Sequence, residues 1–367
     1  FNSAKVWRFD GQQWNLEQTL QTTDTYAQEF GVTVAIEDDL IVVGAPGTDS
    51  PSGTDCGAVY TFEYNGSIWI EADKLESVTC IDNSLLGSSL DIWANTIVAG
   101  APGDGSPPLN RSRGYVRTWR QILGSWNGNT LSYSGHNFDL RTHFGSQVDV
   151  WRNQLIVSAS HCSSGGPFSD PNCDITSGSS VYAYAFDGLN WTSQVVLGTG
   201  GIFDGYGRDL ATWGDYTIVA GITDSELFVK SGGVWTLTTD PFLALDFIDI
   251  AGSTLVTSNG DVWTIEPGGV VSLRENIGVT GDEIALWSGS RCDYQDACPA
   301  GTWGNERLVI DDSTYNSMIV REELTALALS PVDVLVADND ASRVLRVNPL
   351  TGASDILVQG GFISDVR

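Results

Sequence analysis

Three histidines, His136, His143 and His161, are the side chains of this chain best suited to moving protons near neutral pH. His143 directly precedes a Phe-Gly pair and His161 adjoins Cys162. No His-x-x-x-His spacing and no serine nucleophile elbow accompanies them. Paired carboxylates such as Asp38-Asp39 and Asp311-Asp312 carry no message about general acid and base chemistry, because 46 acidic residues make such pairs common. The reactive residues therefore point away from an enzyme.

Divalent cations are the other chemistry that an acidic chain invites. Calcium takes about six to eight oxygen ligands from a tightly curled segment. Two runs come near that pattern: Asp338-x-Asp340-x-Ser342, which lacks a Gly at its sixth position and carries Arg346 nearby, and Asp170-x-Asn172-x-Asp174. Both read more simply as ordinary turns, so the expectation is that no metal or other cofactor is held, with Ca²⁺ the one ion these runs would suit.

Six cysteines fall into three local pairs, Cys56 with Cys80, Cys162 with Cys173, and Cys292 with Cys298. Pinning long loops by disulfides implies an oxidising compartment, and the alternative of free or metal-binding thiols lacks any Cys-x-x-Cys. Three sequons, at Asn65, Asn110 and Asn190, sit in turns and loops where N-linked glycans would project into water. The net charge of −28 repels phosphate backbones and anionic headgroups, which argues against nucleic acid and membrane surfaces as partners. No run of 18 apolar residues is present to span a membrane. The chain opens on Phe1 without a signal peptide or initiating Met, as a mature or trimmed form would.

The elements that carry these residues are repeated. Phe30-Gly31 is followed, thirteen residues after the Gly, by Gly44-Ala45-Pro46-Gly47; Leu86-Gly87 is followed at the same offset by Gly100-Ala101-Pro102-Gly103. Phe144-Gly145 with Ser158-Ala159-Ser160, and Tyr206-Gly207 with Ala220-Gly221, are further copies. Between the motifs, Val32, Val34 and Ile36 alternate with small or polar residues and Leu40 to Val43 is continuously apolar, which predicts two strands joined by a tight turn. Ala58 to Phe62 and Ile68 to Ile70 supply a third and a fourth. A Gly three residues before a Trp recurs at the last turn, in Gly11 and Trp14, Gly66 and Trp69, Gly188 and Trp191, and Gly232 and Trp235.

Four antiparallel strands per copy, repeated around an axis, make the blades of an all-β propeller. These residues resemble the FG-GAP repeat family, whose relatives include the propeller of integrin α subunits. The resemblance covers residues 1 to about 240; residues 324 to 358 look more like the blades of NHL and lactonase-type propellers. It implies a single propeller domain, 1–367, of seven blades, with eight the alternative from strict counting. The hairpin at 5–20 and a strand at 362–366 are expected to close the ring. Integrin-type blades carry a calcium loop between their first two strands. Here that connection has shrunk to Glu37-Asp38-Asp39, Trp93-Ala94-Asn95, Trp151-Arg152-Asn153 and Trp213-Gly214-Asp215, too short for a cage. The Gly of Phe-Gly and the Ala of Gly-Ala-Pro are expected where neighbouring backbones approach closely.

Residues 45 to 57, 101 to 113 and 160 to 179 all join second to third strands, so these long loops crowd onto one face, where repeat scaffolds bind partners. The functional expectation is a secreted, non-enzymatic glycoprotein that acts by protein contact, as an adhesion or matrix protein or as a self-assembling subunit. A carbohydrate-binding propeller, with Trp14, Trp69, Trp191 and Trp235 as stacking platforms, is the alternative. A lactonase-type hydrolase is a third reading, but no cluster of Asp, Asn and Glu from several blades can be assembled for it.

Overall fold

The computed structural model describes residues 3–9, 14–51, 53–103, 114–132, 142–159, 179–200, 206–221, 225–238, 248–251, 254–257, 261–266 and 268–276, and thereafter the strands 283–287, 307–310, 317–321, 333–338, 343–347 and 354–359. Every regular element among the described residues is a β-strand.

Five sheets have the expected order, each a four-stranded antiparallel meander. They are β3 to β6 (Thr33–Glu37, Leu40–Ala45, Ala58–Tyr64, Trp69–Leu75), β7 to β10 (Ser89–Trp93, Thr96–Ala101, Tyr115–Ile122, Ser125–Ser132) and β11 to β14 (Phe144–Trp151, Gln154–Ala159, Ser180–Phe186, Trp191–Thr199). Next come β15 to β18 (Asp209–Trp213, Tyr216–Ala220, Glu226–Ser231, Val234–Leu237) and β19 to β22 (Ile248–Ala251, Thr254–Thr257, Asp261–Glu266, Val270–Asn276). The first strands β3, β7, β11, β15 and β19 lie beside one another in that order. That is the arrangement of a β-propeller.

Burial explains the sequence pattern strand by strand. Second strands are covered on both faces, which is why Leu40 to Ala45 and Thr96 to Ala101 are continuous small and apolar runs. Outer strands such as Ser125–Ser132 are mostly exposed and polar. The core is divided into seams between neighbouring sheets. Val42, Val59 and Leu75 of one sheet pack with Ile92, Ile97 and Trp119 of the next, and Val98 and Val116 pack with Phe144, Leu155 and Tyr184 of the one after.

The repeated Gly residues set the spacing of these seams. Glu29, Leu85 and His143, which precede the Phe-Gly or Leu-Gly pairs, all take left-handed φ (58°, 57°, 43°), and Gly31, Gly87 and Gly145 follow at 96°, 94° and 90°. A Cβ at Gly44 would strike the carbonyl of Gly87 in the next sheet, and one at Gly100 would strike that of Gly145. Close approach is thus Gly on Gly, where the sequence pointed to the neighbouring Ala.

The last part of the chain departs from the four-stranded antiparallel rule. The N-terminal hairpin β1 (Ala4–Phe9) and β2 (Trp14–Leu20) pairs with β24 (Arg307–Ile310), Lys5 opposite Ile310. The segment 362–366 lies outside the described residues. Because β24 is taken by that sheet, β23 (Glu283–Trp287) pairs instead with β25 (Ser317–Arg321), and in parallel. β26 (Asp333–Asp338), β27 (Arg343–Val347) and β28 (Ser354–Gln359) complete that sheet.

Candidate functional site

Second-to-third loops and sheet-to-sheet connectors emerge at one end of the strands, and the hairpin turns at the other. On the loop face, 45–57 is folded onto its own stem and onto the connector that follows its sheet. Thr48 Oγ1 donates to the Ala45 carbonyl at 2.7 Å and Gly57 N–H to Thr48 at 3.0 Å. Asn83 N–H bonds the Thr54 carbonyl at 2.9 Å, and Ser84 Oγ bonds that of Cys56 at 2.8 Å. A disulfide joins Cys56 to Cys80 with Cα atoms 5.3 Å apart, so the loop is covalently tied to the connector.

Three carboxylates cap this loop. Asp55 N–H donates to Asp49 Oδ1 at 2.9 Å and Thr54 N–H to Asp82 Oδ1 at 3.0 Å. Burial, then the like charges of Asp49 and Asp82, push the Asp55 carboxyl above its ordinary value. No group of three or more metal-ligating side chains is poised to hold an ion among the described residues. The cap places the Asp49, Asp55 and Asp82 carboxylates together on the loop face.

Beside it, Asp24 accepts from Tyr60 Oη at 2.8 Å and pairs with Lys74 at 2.6 Å, and Lys74 also pairs with Glu76 at 2.8 Å. Burial alone would raise the Asp24 carboxyl, but Lys74 and the Tyr26 and Tyr60 donors outweigh it and hold it below the usual carboxylate range. Burial and then Asp24 push the Tyr60 hydroxyl well above its ordinary value. This lock between the connector and the sheet β3 to β6 was not visible in the sequence, because Asp24 lies in a segment with no motif.

The opposite end carries the other singled-out residues. Asn65 and Asn190 are both exposed in third-to-fourth turns, and Asn65 Oδ1 accepts the N–H of Ser67 and of Ile68 at 2.9 and 3.0 Å. Trp69 and Trp191 are buried, packed at 5.3 Å against Tyr64 and Phe186, so their rings fill seams; the Trp14 side chain lies outside the described residues. Lys230 Nζ stands 5.3 Å over the Trp235 ring.

Turns at Trp93, Trp151 and Trp213 hold a further pattern. Ala94, Arg152 and Gly214 take positive φ in two-residue turns, and the three indoles stack in sequence across three sheets, with centroids 4.1 Å apart at each step. Their equal distance from the Leu86-Gly87, Phe144-Gly145 and Tyr206-Gly207 pairs was the available signal. His143 is buried. His136, His161, Asn110, Asp170, Asp174, Asp340, Cys162, Cys173, Cys292 and Cys298 lie outside the described residues, and Asp338 is placed only as the last residue of β26.

Residues 14–62 match the model of the FG-GAP repeat. A functionally unknown protein from Desulfotomaculum acetoxidans has a similar fold, with a TM-score of 0.57 at 12% identity, covering 98% of this chain and 96% of that one. Apo AztD from Citrobacter koseri aligns with a TM-score of 0.45 at 10% identity, over 98% of this chain and 83% of that one. Comparison with curated proteins finds no match. No helix among the described residues is long and apolar enough to cross a membrane. Residues 14–62 are therefore similar to an FG-GAP repeat, and the successive antiparallel sheets give the chain the arrangement of a β-propeller.

Proposed function

We propose that this chain is a non-enzymatic extracellular glycoprotein that works by protein–protein contact through its long-loop face, as an adhesion or matrix protein or as a subunit of an extracellular assembly. The observation that carries the reading is loop 45–57, held by a disulfide to the next connector and capped by Asp49, Asp55 and Asp82. A loop fixed this firmly loses little entropy on binding, which is what a preformed contact surface needs. Its charge selects a basic partner. The disulfide supports an oxidising compartment, and exposed Asn65 and Asn190 support glycans on the face away from the contact. Seven sheets among the described residues support seven blades.

The test is to immobilise the glycosylated protein and a variant carrying Asp49→Ser, Asp55→Ser and Asp82→Ser, and to identify secreted and cell-surface proteins retained by each. Partners should be lost with the triple variant and kept with Asn65→Gln on the opposite face. Retention by the triple variant of every partner that binds the parent sinks the reading. Sugar binding is favoured by a different observation, the stacked indoles of Trp93, Trp151 and Trp213, and a glycan array decides between the two.

A further inference from the structure

Among the described residues β10 differs from the other outer strands. In β2, β6, β14, β22 and β28 the pairing with the neighbouring strand slips, so that an extra residue bulges from the edge. β18 is only 4 residues long. Bulges and short strands keep sheet edges from templating another strand. β10 instead runs 8 residues without a slip, from Ser125 opposite Ile122 to Ser132 opposite Tyr115. It contains no Lys, Arg, Asp, Glu or Pro, and most of it is exposed.

Its free hydrogen-bonding groups can be assigned from the turn. Leu123 and Gly124 close the β9–β10 hairpin, both at positive φ (52° and 79°), and the residues flanking a two-residue turn exchange both backbone bonds. Alternation then directs the N–H and C=O of Trp126, Gly128, Thr130 and Ser132 away from β9. Gln121, opposite Trp126, accordingly gives its N–H to the Asn95 carbonyl at 2.8 Å. Thr130 N–H is held at 2.8 Å by Oδ1 of the adjacent Asn129, a side-chain stand-in where the carbonyl of an added strand would sit.

Charge supplies the second, independent observation. No Asp or Glu lies between Asp104 and Asp139, while four arginines do, in a chain whose net charge is −28. Two of them stand on β9, three residues apart and so on opposite faces of the sheet: Arg120 lies 3.9 Å from the Phe186 ring of the next sheet and donates to Asn95 Oδ1 at 3.4 Å, whereas Arg117 reaches this edge. Arg117 is 4% exposed, donates from Nη1 to Thr130 Oγ1 at 2.5 Å, and lies 5.3 Å from the Trp119 ring. Its buried Nε has no acceptor, and among the described residues neither Arg117 nor Arg120 has a carboxylate partner. Burial lowers the pKa of both guanidinium groups, yet arginine stays protonated. A Cβ at Gly128 would strike Arg117 and Trp119, so the cation is packed against the open edge.

We propose that β10 is the docking edge for an extended acidic segment of a partner protein, which adds as a further antiparallel or parallel strand and brings carboxylates into the field of Arg117. Strand addition provides backbone recognition, and Arg117, without a carboxylate partner among the described residues, selects the charge. This edge is separate from the loop face, so either assignment can fail alone.

The probe is a dye-labelled octapeptide of alternating Val and Glu, titrated against the full-length protein by fluorescence anisotropy. Its Val-Lys counterpart and a version N-methylated at alternate residues serve as controls. The Val-Glu peptide should saturate, and N-methylation in the register that removes its ladder donors should weaken it about tenfold or more. Ser132→Pro removes an outward N–H while sparing the bonds to β9, and should weaken binding by about the same factor. Arg117→Gln should weaken it and flatten its salt dependence; if that variant fails to fold, Thr130→Glu, which sets a carboxylate against Arg117, carries the charge test and should weaken the Val-Glu peptide likewise. No saturation up to about 1 mM, or equal binding of the Val-Lys or N-methylated peptide, overturns the proposal. So does a dimer of the protein alone that Ser132→Pro dissolves in sedimentation, because it assigns the edge to a second copy.

Discussion

Asp209 should make the stability of this propeller depend on pH in a direction opposite to that of most carboxylates. It opens β15 two residues after Gly207, where Thr33 and Ser89 open the equivalent strands. Those hydroxyls donate to the Gly87 and Gly145 carbonyls of the next sheet, at 2.6 and 2.9 Å. Asp209 reverses the polarity: Oδ2 accepts the Ile248 N–H of the next sheet at 2.8 Å and Oδ1 accepts Leu210 N–H at 2.9 Å. Burial at the seam outweighs these donors and pushes its carboxyl from 3.8 up to about 7. The folded protein therefore holds a proton between about pH 4 and 7 that the unfolded chain has released. The stabilisation is fully present below the unfolded value and is lost as pH rises through the folded one.

At about 1.4 kcal/mol per pH unit of difference, the span sets an upper bound of roughly 4 kcal/mol. The residue as a whole keeps partial contact with solvent, which screens the charge and brings the expected effect to about 2 kcal/mol. Asp209→Asn keeps the shape and one acceptor but cannot ionise. Its urea midpoint, followed by tryptophan fluorescence, should lie above that of the parent at pH 8 and at or below it at pH 5. The difference between the two proteins is the quantity to read, since a net charge of −28 gives both a background dependence. Curves that run parallel from pH 4.5 to 8 would refute the reasoning.

Gly87→Ala combines a φ of 94° with a Cβ only 2.8 Å from the Ala58 carbonyl and should cost about 3 kcal/mol or more, whereas Gly66→Ala, at the same φ with nothing within 4 Å, should cost about 1 kcal/mol; thermal melts of the pair separate strain from collision. Cys56→Ser with Cys80→Ser opens a cross-link spanning 24 residues and should lower stability by about 2 to 4 kcal/mol, read as the urea midpoint of the oxidised double variant against that of the oxidised parent. Tyr60→Phe removes the 2.8 Å bond to Asp24 and should cost about 1 to 2 kcal/mol, read as a shifted urea midpoint with unchanged slope.

The repeating part of the fold could be read in advance because its requirements are steric and local. A positive φ at Gly31, Gly87 and Gly145, and a neighbour's backbone against Gly44 and Gly100, admit almost nothing but Gly, so the spacing survives in the sequence. The partner of the N-terminal hairpin could not be read, because Arg307–Ile310 joins it across nearly the whole chain and a four-residue apolar strand has no distinguishing pattern. Trp93, Trp151 and Trp213 stood out by position, but only the turn geometry shows that they stack. The loop-face carboxylates were hidden for another reason: in a chain with 46 acidic residues, composition masks the three that converge.

What varies between copies is as informative as what repeats. Tyr60, Arg117, Tyr182 and Glu226 occupy one register position, each opposite the residue before Gly44 or its equivalent. Tyr60 bonds Asp24, Arg117 bonds Thr130, and Glu226 accepts from the Tyr206 hydroxyl at 2.5 Å. The glycine contacts fix how closely the sheets approach, so the chemistry facing each seam is free to differ provided its polar atoms find partners. Arg117 is the copy at which that condition is met least well, since its Nε is left without an acceptor, and it lies beneath the one long outer strand without a bulge among those described. A buried cation beside an open, uncharged edge costs stability within the monomer, and an added acidic strand is the arrangement in which that cost is recovered.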